Sequence, residues 1–345
     1  MTKLHQLESL PKVLLDCPAT ELFSHFPLPT LIHLKGRREE PLFVSILLHG
    51  NETTGLLAIQ KVLKKYRDTE LPRSLSLFLG NLKAARSQVR RLRGQVDYNR
   101  VWPGTEVASC PESEVMDSIV DIMRKRHVFA SLDLHNNTGL NPHYACLNVL
   151  ENKYLQLATL FGRTVVYFIR PTGTQSAAMA PICPAVTLEC GKPGESHGVD
   201  HAAEFLDACL HLSTLPETPV ADHDIDLFHT VAQVKVPQDL DFSFDSNTAD
   251  LNFVSNLERL NFQEMPQGTV FAHCAIQKPV KLEVSDEHGN DVADKYFICS
   301  HNKLKLRREV MPSMLTLDKQ VIRQDCLCYL MERMSLNASQ EAVRE

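Results

Sequence analysis

The sequence predicts an α/β fold: a mainly parallel, mixed sheet with helices on both faces, followed by a small β-rich C-terminal domain. Three observations carry that expectation. Residues 41–212 alternate strand-like apolar runs with helix-like ones, the pattern of a sheet covered on both faces. The pattern breaks at Ser213-Thr214-Leu215-Pro216-Glu217-Thr218-Pro219, which reads as a linker. Beyond it the apolar runs shorten, and turn signals such as Pro266-Gln267-Gly268 and Glu287-His288-Gly289-Asn290 separate them. The expected domains are residues 1–214 and 225–345.

Residues 1–40 read as a mixed leader, because Pro11, Pro18, Pro27 and Pro29 break long helices. Strands are expected near 42–48, 75–79, 128–134, 145–149, 164–169 and 184–189. Helices are expected near 53–66, 112–126, 151–162 and 198–212. In the C-terminal domain, strands are expected at Val231–Val236, Thr269–His273, Val280–Val284 and Tyr296–Ser300. The stretch Leu317 to Met334 reads as a terminal helix, with a charged tail after it.

Composition narrows the function classes. The 345 residues carry a formal net charge of −6, and 43% are hydrophobic, as in an ordinary globular protein. No apolar run approaches the roughly 20 residues of a membrane span, and the N-terminus lacks a secretory apolar core. Ten cysteines are scattered without a C-x-x-C pair, which reads as reduced thiols in a cytoplasmic protein. A basic run occupies Lys83 to Arg100, with Arg86, Arg90, Arg91 and Arg93 against Asp97. The negative chain, its pI near 6.2 and the lack of interleaved aromatics argue against nucleic acid. A local positive field that draws in an anionic substrate fits better. Nucleic acid and membrane are therefore excluded as partners, a small carboxylate-bearing molecule is expected, and self-association is left open.

His49-Gly50-Asn51-Glu52 follows the apolar run Phe43 to Leu48. An imidazole and a carboxylate three residues apart reach one cation if the backbone turns between them, and Gly50 permits such a turn. His135 ends another apolar run, with Asp133 two residues earlier on the same strand face. Together His49, Glu52 and His135 make an open metal site with a position left for water. Asp133 is then the acceptor that orients the His135 ring; the competing reading is a buried histidine capping a strand end. Glu189 ends Pro184-Ala185-Val186-Thr187-Leu188 before Cys190-Gly191. It is a candidate general base, against a structural ion pair as the alternative. His49, His135 and Glu189 all sit at carboxyl ends of expected strands, where sites in such sheets gather. Cys190 is read as a buried strand residue rather than a nucleophile, and His143 and His197 as turn and loop residues.

The order H-G-N-E-x-x-G, D-L-H-N, T-L-E-x-G resembles the succinylglutamate desuccinylase/aspartoacylase family, within the zinc carboxypeptidase-like superfamily. The motifs span roughly residues 40–200. The resemblance implies one Zn2+ per chain held by His49, Glu52 and His135, with Glu189 as general base and acid. It implies that Asn99-Arg100 grips a substrate carboxylate. It also implies an arginine about seven residues earlier that polarises the scissile carbonyl. Position 92 is leucine, so the match shifts to Arg91, with Arg93 as the other choice. The implied activity is zinc-dependent amide hydrolysis of an N-acyl amino acid. A metallocarboxypeptidase or esterase with the same site, or a non-catalytic zinc or ligand-binding protein, are the alternatives.

Three departures bear on specificity. Aspartoacylases carry an arginine for a second carboxylate where this chain has Met179, and no counterpart of their pocket tyrosine is found in the C-terminal region. The strand-end motif Asp133 to Gly139 also differs from the desuccinylase version. The acyl group and the amino acid therefore stay open.

Overall fold

The structure is a computed structural model, and it describes residues 4–245, 248–275 and 280–335. The described chain divides into two compact units. One holds residues up to Asn136 and His143–Leu227; the other holds Asn137–Pro142 and Phe228–Met334.

The first unit is built on eight strands: β1 (His5–Leu7), β2 (Thr30–Leu34), β3 (Gly36–Ile46), β4 (Leu71–Leu79), β5 (Ala130–His135), β6 (Tyr144–Leu147), β7 (Thr164–Tyr167) and β8 (Ala185–Glu189). They lie in the order β1-β2-β4-β3-β5-β8-β6-β7. The central pairs β4/β3, β3/β5 and β5/β8 are parallel, while β2/β4 and β8/β6 are antiparallel. This is the mainly parallel mixed sheet that the alternation predicts. The expected leader is different: β1, β2 and the start of β3 lie within residues 1–40 and extend the sheet. Its prolines fall in the connections, where a missing N–H costs no ladder bond.

Helices cover both faces. On one face lies α2 (Thr54–Lys65), packed on α7 (Ser196–His211). A Cβ added at Gly55 of α2 would come within 3.0 Å of Leu134 and Ile46 side-chain atoms, which shows how closely that helix approaches the sheet. On the other face α4 (Pro111–Lys125) and α6 (Gln175–Met179) share a core with Phe43, Phe78 and Ala185 of the sheet. Trp102, fully buried, meets Phe43 and Phe78 edge-on at 6.4 and 6.1 Å between ring centroids. Three shorter or outlying helices complete the unit: α1 (Leu22–His25), α3 (Leu82–Arg86) and α5 (Asn152–Phe161). No helix among the described residues is long and apolar enough to cross a membrane.

The second unit is β-rich, as expected. Strand β9 (Asp226–Lys235) pairs antiparallel with β13 (Glu283–Ser285) and β17 (Cys328–Arg333), and β17 pairs with β16 (Met311–Ser313). A five-stranded sheet follows the order β10 (Phe242–Ser243), β11 (Leu251–Phe253), β12 (Val270–Cys274), β15 (Lys303–Leu306) and β14 (Phe297–Ser300). Phe271, Leu304, Val234 and Leu330 belong to its shared core. The terminal helix expected over Leu317–Met334 is corrected. Only Lys319–Gln324 is helical, started by Asp318, whose carboxylate accepts from the Gln320 and Val321 amides. The rest, Cys328–Arg333, is a central strand whose side chains Cys328, Leu330 and Met331 are buried. A continuous apolar run of that length fits either element, and pairing with β9 decides it. The charged tail beyond residue 335 lies outside the described residues.

Candidate metal centre and its surroundings

Strand β3 ends at Ile46, and Leu47 turns the chain with a positive φ of 56°. That kink carries His49 and Glu52 over the ends of the strands. Gly50 is needed for closeness: a Cβ there would lie 2.2 Å from backbone atoms of Ala84 and Ala85 in α3. The next residues open α2, and the helix start is tied to β5. Asn136 accepts from the Thr54 amide at 3.1 Å, and its own NH2 donates to Thr54 Oγ1 at 2.9 Å and to Gly191 O at 2.8 Å. One buried amide thus ties the start of α2 to the ends of β5 and β8. In the sequence Asn136 is visible only as part of the strand-end motif Asp133 to Gly139.

The structure brings His49, Glu52 and His135 together. One ligand atom from each lies within 4.8 Å of the others, and all three residues are buried. His49 Nδ1 is 2.9 Å from Glu52 Oε1, and His135 Nδ1 is 2.7 Å from Glu52 Oε2. Each ring has its far nitrogen on a further carboxylate: His49 Nε2 on Asp97 at 3.0 Å, His135 Nε2 on Asp133 at 2.7 Å. Asp133 is itself held by Ser45 Oγ at 2.6 Å and by the Asn99 amide at 3.1 Å. Both histidines therefore present Nδ1 to the centre with Nε2 anchored, the arrangement that fixes tautomer and ring direction for a metal ligand. The expected acceptor for His135 is found at Asp133. The matching partner of His49, Asp97, has no fixed sequence spacing from it and was not foreseen.

The electrostatics follow from these contacts. Burial alone raises the Glu52 carboxyl, but His49 and His135 outweigh it and hold the group below the usual carboxylate range. Burial lowers both imidazoles, and in His49 Arg90 adds to that effect. The carboxylates win: Glu52 and Asp97 raise His49, and Asp133 and Glu52 raise His135 strongly. The cluster is a set of mutually compensating buried charges. A divalent cation fits this donor set, two nitrogens and a carboxylate, by displacing the imidazole protons.

Glu189 closes β8 as the register partner of His135, so the two buried side chains leave one face of the sheet side by side. Cys190 follows it. Burial, then Glu189 and Glu52, push its thiol far up, which suits a structural strand residue and not a nucleophile.

The loop from Ser87 to Thr105 supplies the cations. Asn81 caps α3, and its side chain and that of Gln95 exchange two hydrogen bonds of 2.9 Å; Gln95 Oε1 also accepts from the Leu92 amide. The Gly50 amide donates to Arg90 O at 3.1 Å, which sets Arg90 beside the H-G-N-E turn. The Arg90 guanidinium donates twice to Asp97 Oδ2, at 3.0 and 3.2 Å, and reaches to 3.8 Å from Glu52 Oε1. Arg91, the residue chosen from motif spacing, instead donates to Gln95 O at 2.9 Å. Asn99 is buried, with its amide on Asp133 and its carbonyl oxygen accepting from the Gln175 amide at 2.8 Å. Arg100 is part-buried and donates to Asn99 O. Its backbone abuts Gly173, where φ is +69° and a Cβ would lie 2.5 Å from Arg100 O. Met179 is fully buried in the apolar cluster with Val101 and Trp102. His143 stacks on His201 and His197, at 5.0 and 5.3 Å between ring centroids.

Comparison with known proteins agrees with this picture. The sequence profile of the succinylglutamate desuccinylase/aspartoacylase catalytic domain matches residues 41–214. No curated protein sequence matches significantly. Among solved structures, the succinylglutamate desuccinylase from Chromobacterium violaceum is 18% identical, with a TM-score of 0.55, covering 87% of this chain and 86% of that one. A succinylglutamate desuccinylase/aspartoacylase from Rhodobacter sphaeroides is 14% identical with a TM-score of 0.55, and 88% of each chain is covered. Murine aminoacylase 3 is 15% identical with a TM-score of 0.55, covering 86% of this chain and 96% of that one. At these identities the structures establish the fold, and the profile establishes membership. The chain belongs to the succinylglutamate desuccinylase/aspartoacylase family of hydrolases.

Proposed function

We propose that this protein is a zinc-dependent amidohydrolase that deacylates an N-acyl amino acid or a similar small carboxylate-bearing substrate. In this reading residues 1–214 form the hydrolase domain and residues 225–345 an accessory β-rich domain. The observation that carries it is the convergence of His49 Nδ1, His135 Nδ1 and Glu52 on one point, with both Nε2 atoms anchored on carboxylates. These three residues would hold one Zn2+ per chain. The ion would polarise the substrate carbonyl and lower the pKa of water.

The chain's own residues do the rest. Glu189, beside His135, takes the proton from the attacking water and returns it to the leaving nitrogen. Arg90, aimed at the cluster by Asp97 and the Gly50–Arg90 backbone bond, meets the negative charge that grows on the carbonyl oxygen. We assign Arg90 that role in place of Arg91, whose guanidinium is turned to Gln95 O. Arg100 pairs with the substrate carboxylate. Asn99 steadies Arg100 through its backbone carbonyl and steadies His135 through Asp133.

The test is amine release from a panel of N-acetyl and N-succinyl amino acids beside short peptides with free C-termini. Glu189→Gln runs in parallel, with metal content measured on both proteins. Turnover on acyl amino acids, reduced roughly 10²–10⁴-fold in the variant at unchanged zinc content, supports the reading. Turnover on the peptides alone makes the protein a carboxypeptidase. No turnover on any member with zinc bound points to an ester substrate or a non-catalytic binding role.

A further inference from the structure

The second unit holds a pair of thiols that the hydrolase reading does not use. Cys274 ends β12 and is buried, while Cys299 lies in β14 and is exposed. Their sulfurs are 3.1 Å apart, with Cys299 Sγ donating to Cys274 Sγ. That is about 1 Å more than a disulfide bond of ~2.05 Å, and because β12 and β14 flank β15, closure draws these two strands together as well as the side chains. Of the other eight cysteines, Cys110 is half-buried and the remaining seven are buried. Cys299 is thus the thiol that a dissolved oxidant meets first, and its neighbour is already in place to resolve the adduct.

We propose that Cys274 and Cys299 are a redox-modification site that takes a low-molecular-weight disulfide, such as oxidised glutathione, and closes to a reversible intrachain disulfide. The Cys299 thiolate attacks one sulfur of the oxidant. A mixed disulfide forms on Cys299 and one glutathione leaves as its thiol. Cys274 sulfur then attacks the Cys299 sulfur, the mixed disulfide breaks, and the second glutathione leaves. Two protein thiols are oxidised, one glutathione disulfide is reduced, and the two thiol protons end on the two glutathiones. Burial, with Cys299 adding to it, pushes the Cys274 thiol up to about 12. Exposure assigns the first attack to Cys299, and the contact between the two sulfurs leaves Cys274 to resolve the adduct. The bridge would staple β12 to β14 across β15, which pairs with both.

The full-length protein is reduced, then equilibrated with reduced and oxidised glutathione at graded ratios, quenched in acid and alkylated. Intact mass and peptide mapping follow. The expected wild-type result is the loss of two alkylatable thiols, a Cys274–Cys299 cross-linked peptide and full recovery with dithiothreitol. Cys274→Ser is expected to stop at a stable glutathione adduct on Cys299, and Cys299→Ser to keep every remaining thiol. The proposal is overturned if wild type also stops at the Cys299 adduct, links a different pair or keeps all its thiols under the most oxidising ratio. The wild-type result decides the matter by itself if a serine variant fails to fold.

Discussion

The site draws on two kinds of backbone, and they are held by different forces. Asp133, His135 and Glu189 sit at the ends of β5 and β8, where the paired ladder fixes each Cα and the side chains are buried. Arg90, Asp97 and Arg100 come from a segment without strand or helix, and all three are partly exposed. Their positions depend on a few bonds: the Asn81–Gln95 side-chain exchange, the backbone bond from the Gly50 amide to Arg90 O, and the Glu106–Arg170 pair just past the far end of the loop. The strand ends are preorganised by many weak contacts that cannot fail singly. The loop is organised by a few contacts, each of which can be removed. The comparison predicts that loop variants change chemistry while leaving the fold, and that strand-end variants change both.

Among the variants that separate loop from strand end, the largest effect is expected at the loop. Arg90→Ala should lower kcat/KM by about 10²–10³, the usual loss when a donor to a developing oxyanion is removed. Arg91→Ala should stay within roughly 0.5 kcal/mol, about twofold, as for a residue away from the chemistry. Steady-state kinetics on the same substrate separate them. A larger loss for Arg91 would show that the loop register seen here is not the active one.

The carboxylates behind the two histidines come next. Asp133→Asn and Asp97→Asn should each weaken zinc binding by about 10–100-fold. They should differ in the thermal melt of the metal-free protein. Asp133 is fully buried and bonded to Ser45, Asn99 and His135, so its loss disturbs three partners. Asp97 lies on the partly exposed loop with Arg90 and His49. A clearly lower Tm for the Asp133 variant is the expected outcome, and equal melts would erase the distinction between strand end and loop.

The same distinction governs what could be read from the chain. His49, His135 and Glu189 announce themselves because apolar runs locate strands, and strand ends locate sites. The central strands and the helices α2, α4, α5 and α7 were legible for that reason. Arg90 was not legible, although it lies one residue from the chosen Arg91. Which guanidinium faces the centre depends on the bond between Gly50 and Arg90, 40 positions apart in sequence, and no local pattern encodes it. Asp97 was hidden in the same way. Residues 1–40 were misread because their proline-rich connections mask three short or partial strands. Cys328–Arg333 was misread because an apolar run beside a real helix looks like its continuation. In each case the deciding contact is long-range.

A third histidine on the same sheet sharpens the comparison through stability alone. His33 on β2 is buried like His49 and His135, but its Nδ1 meets a hydroxyl, Ser76 Oγ, at 2.9 Å. With no carboxylate among the described residues in hydrogen-bonding reach, burial dominates, Arg126 adds to it, and the imidazole falls to about 4 despite the opposing field of Glu8. In the unfolded chain a histidine titrates near ~6.5. Above that value His33 is neutral in both states and its contribution to stability is complete. As the pH falls from ~6.5 towards 4, the unfolded chain takes up a proton that the native state refuses, so stability is lost through that window. The loss should be about 2 kcal/mol, scaled down from the full shift. Urea unfolding of the metal-free protein at pH 7 and pH 4.5 measures it, and His33→Gln should flatten the dependence by that amount. Identical slopes in the two proteins would mean that the imidazole is already charged in the fold, and that a strand position without a carboxylate partner does not hold histidine neutral.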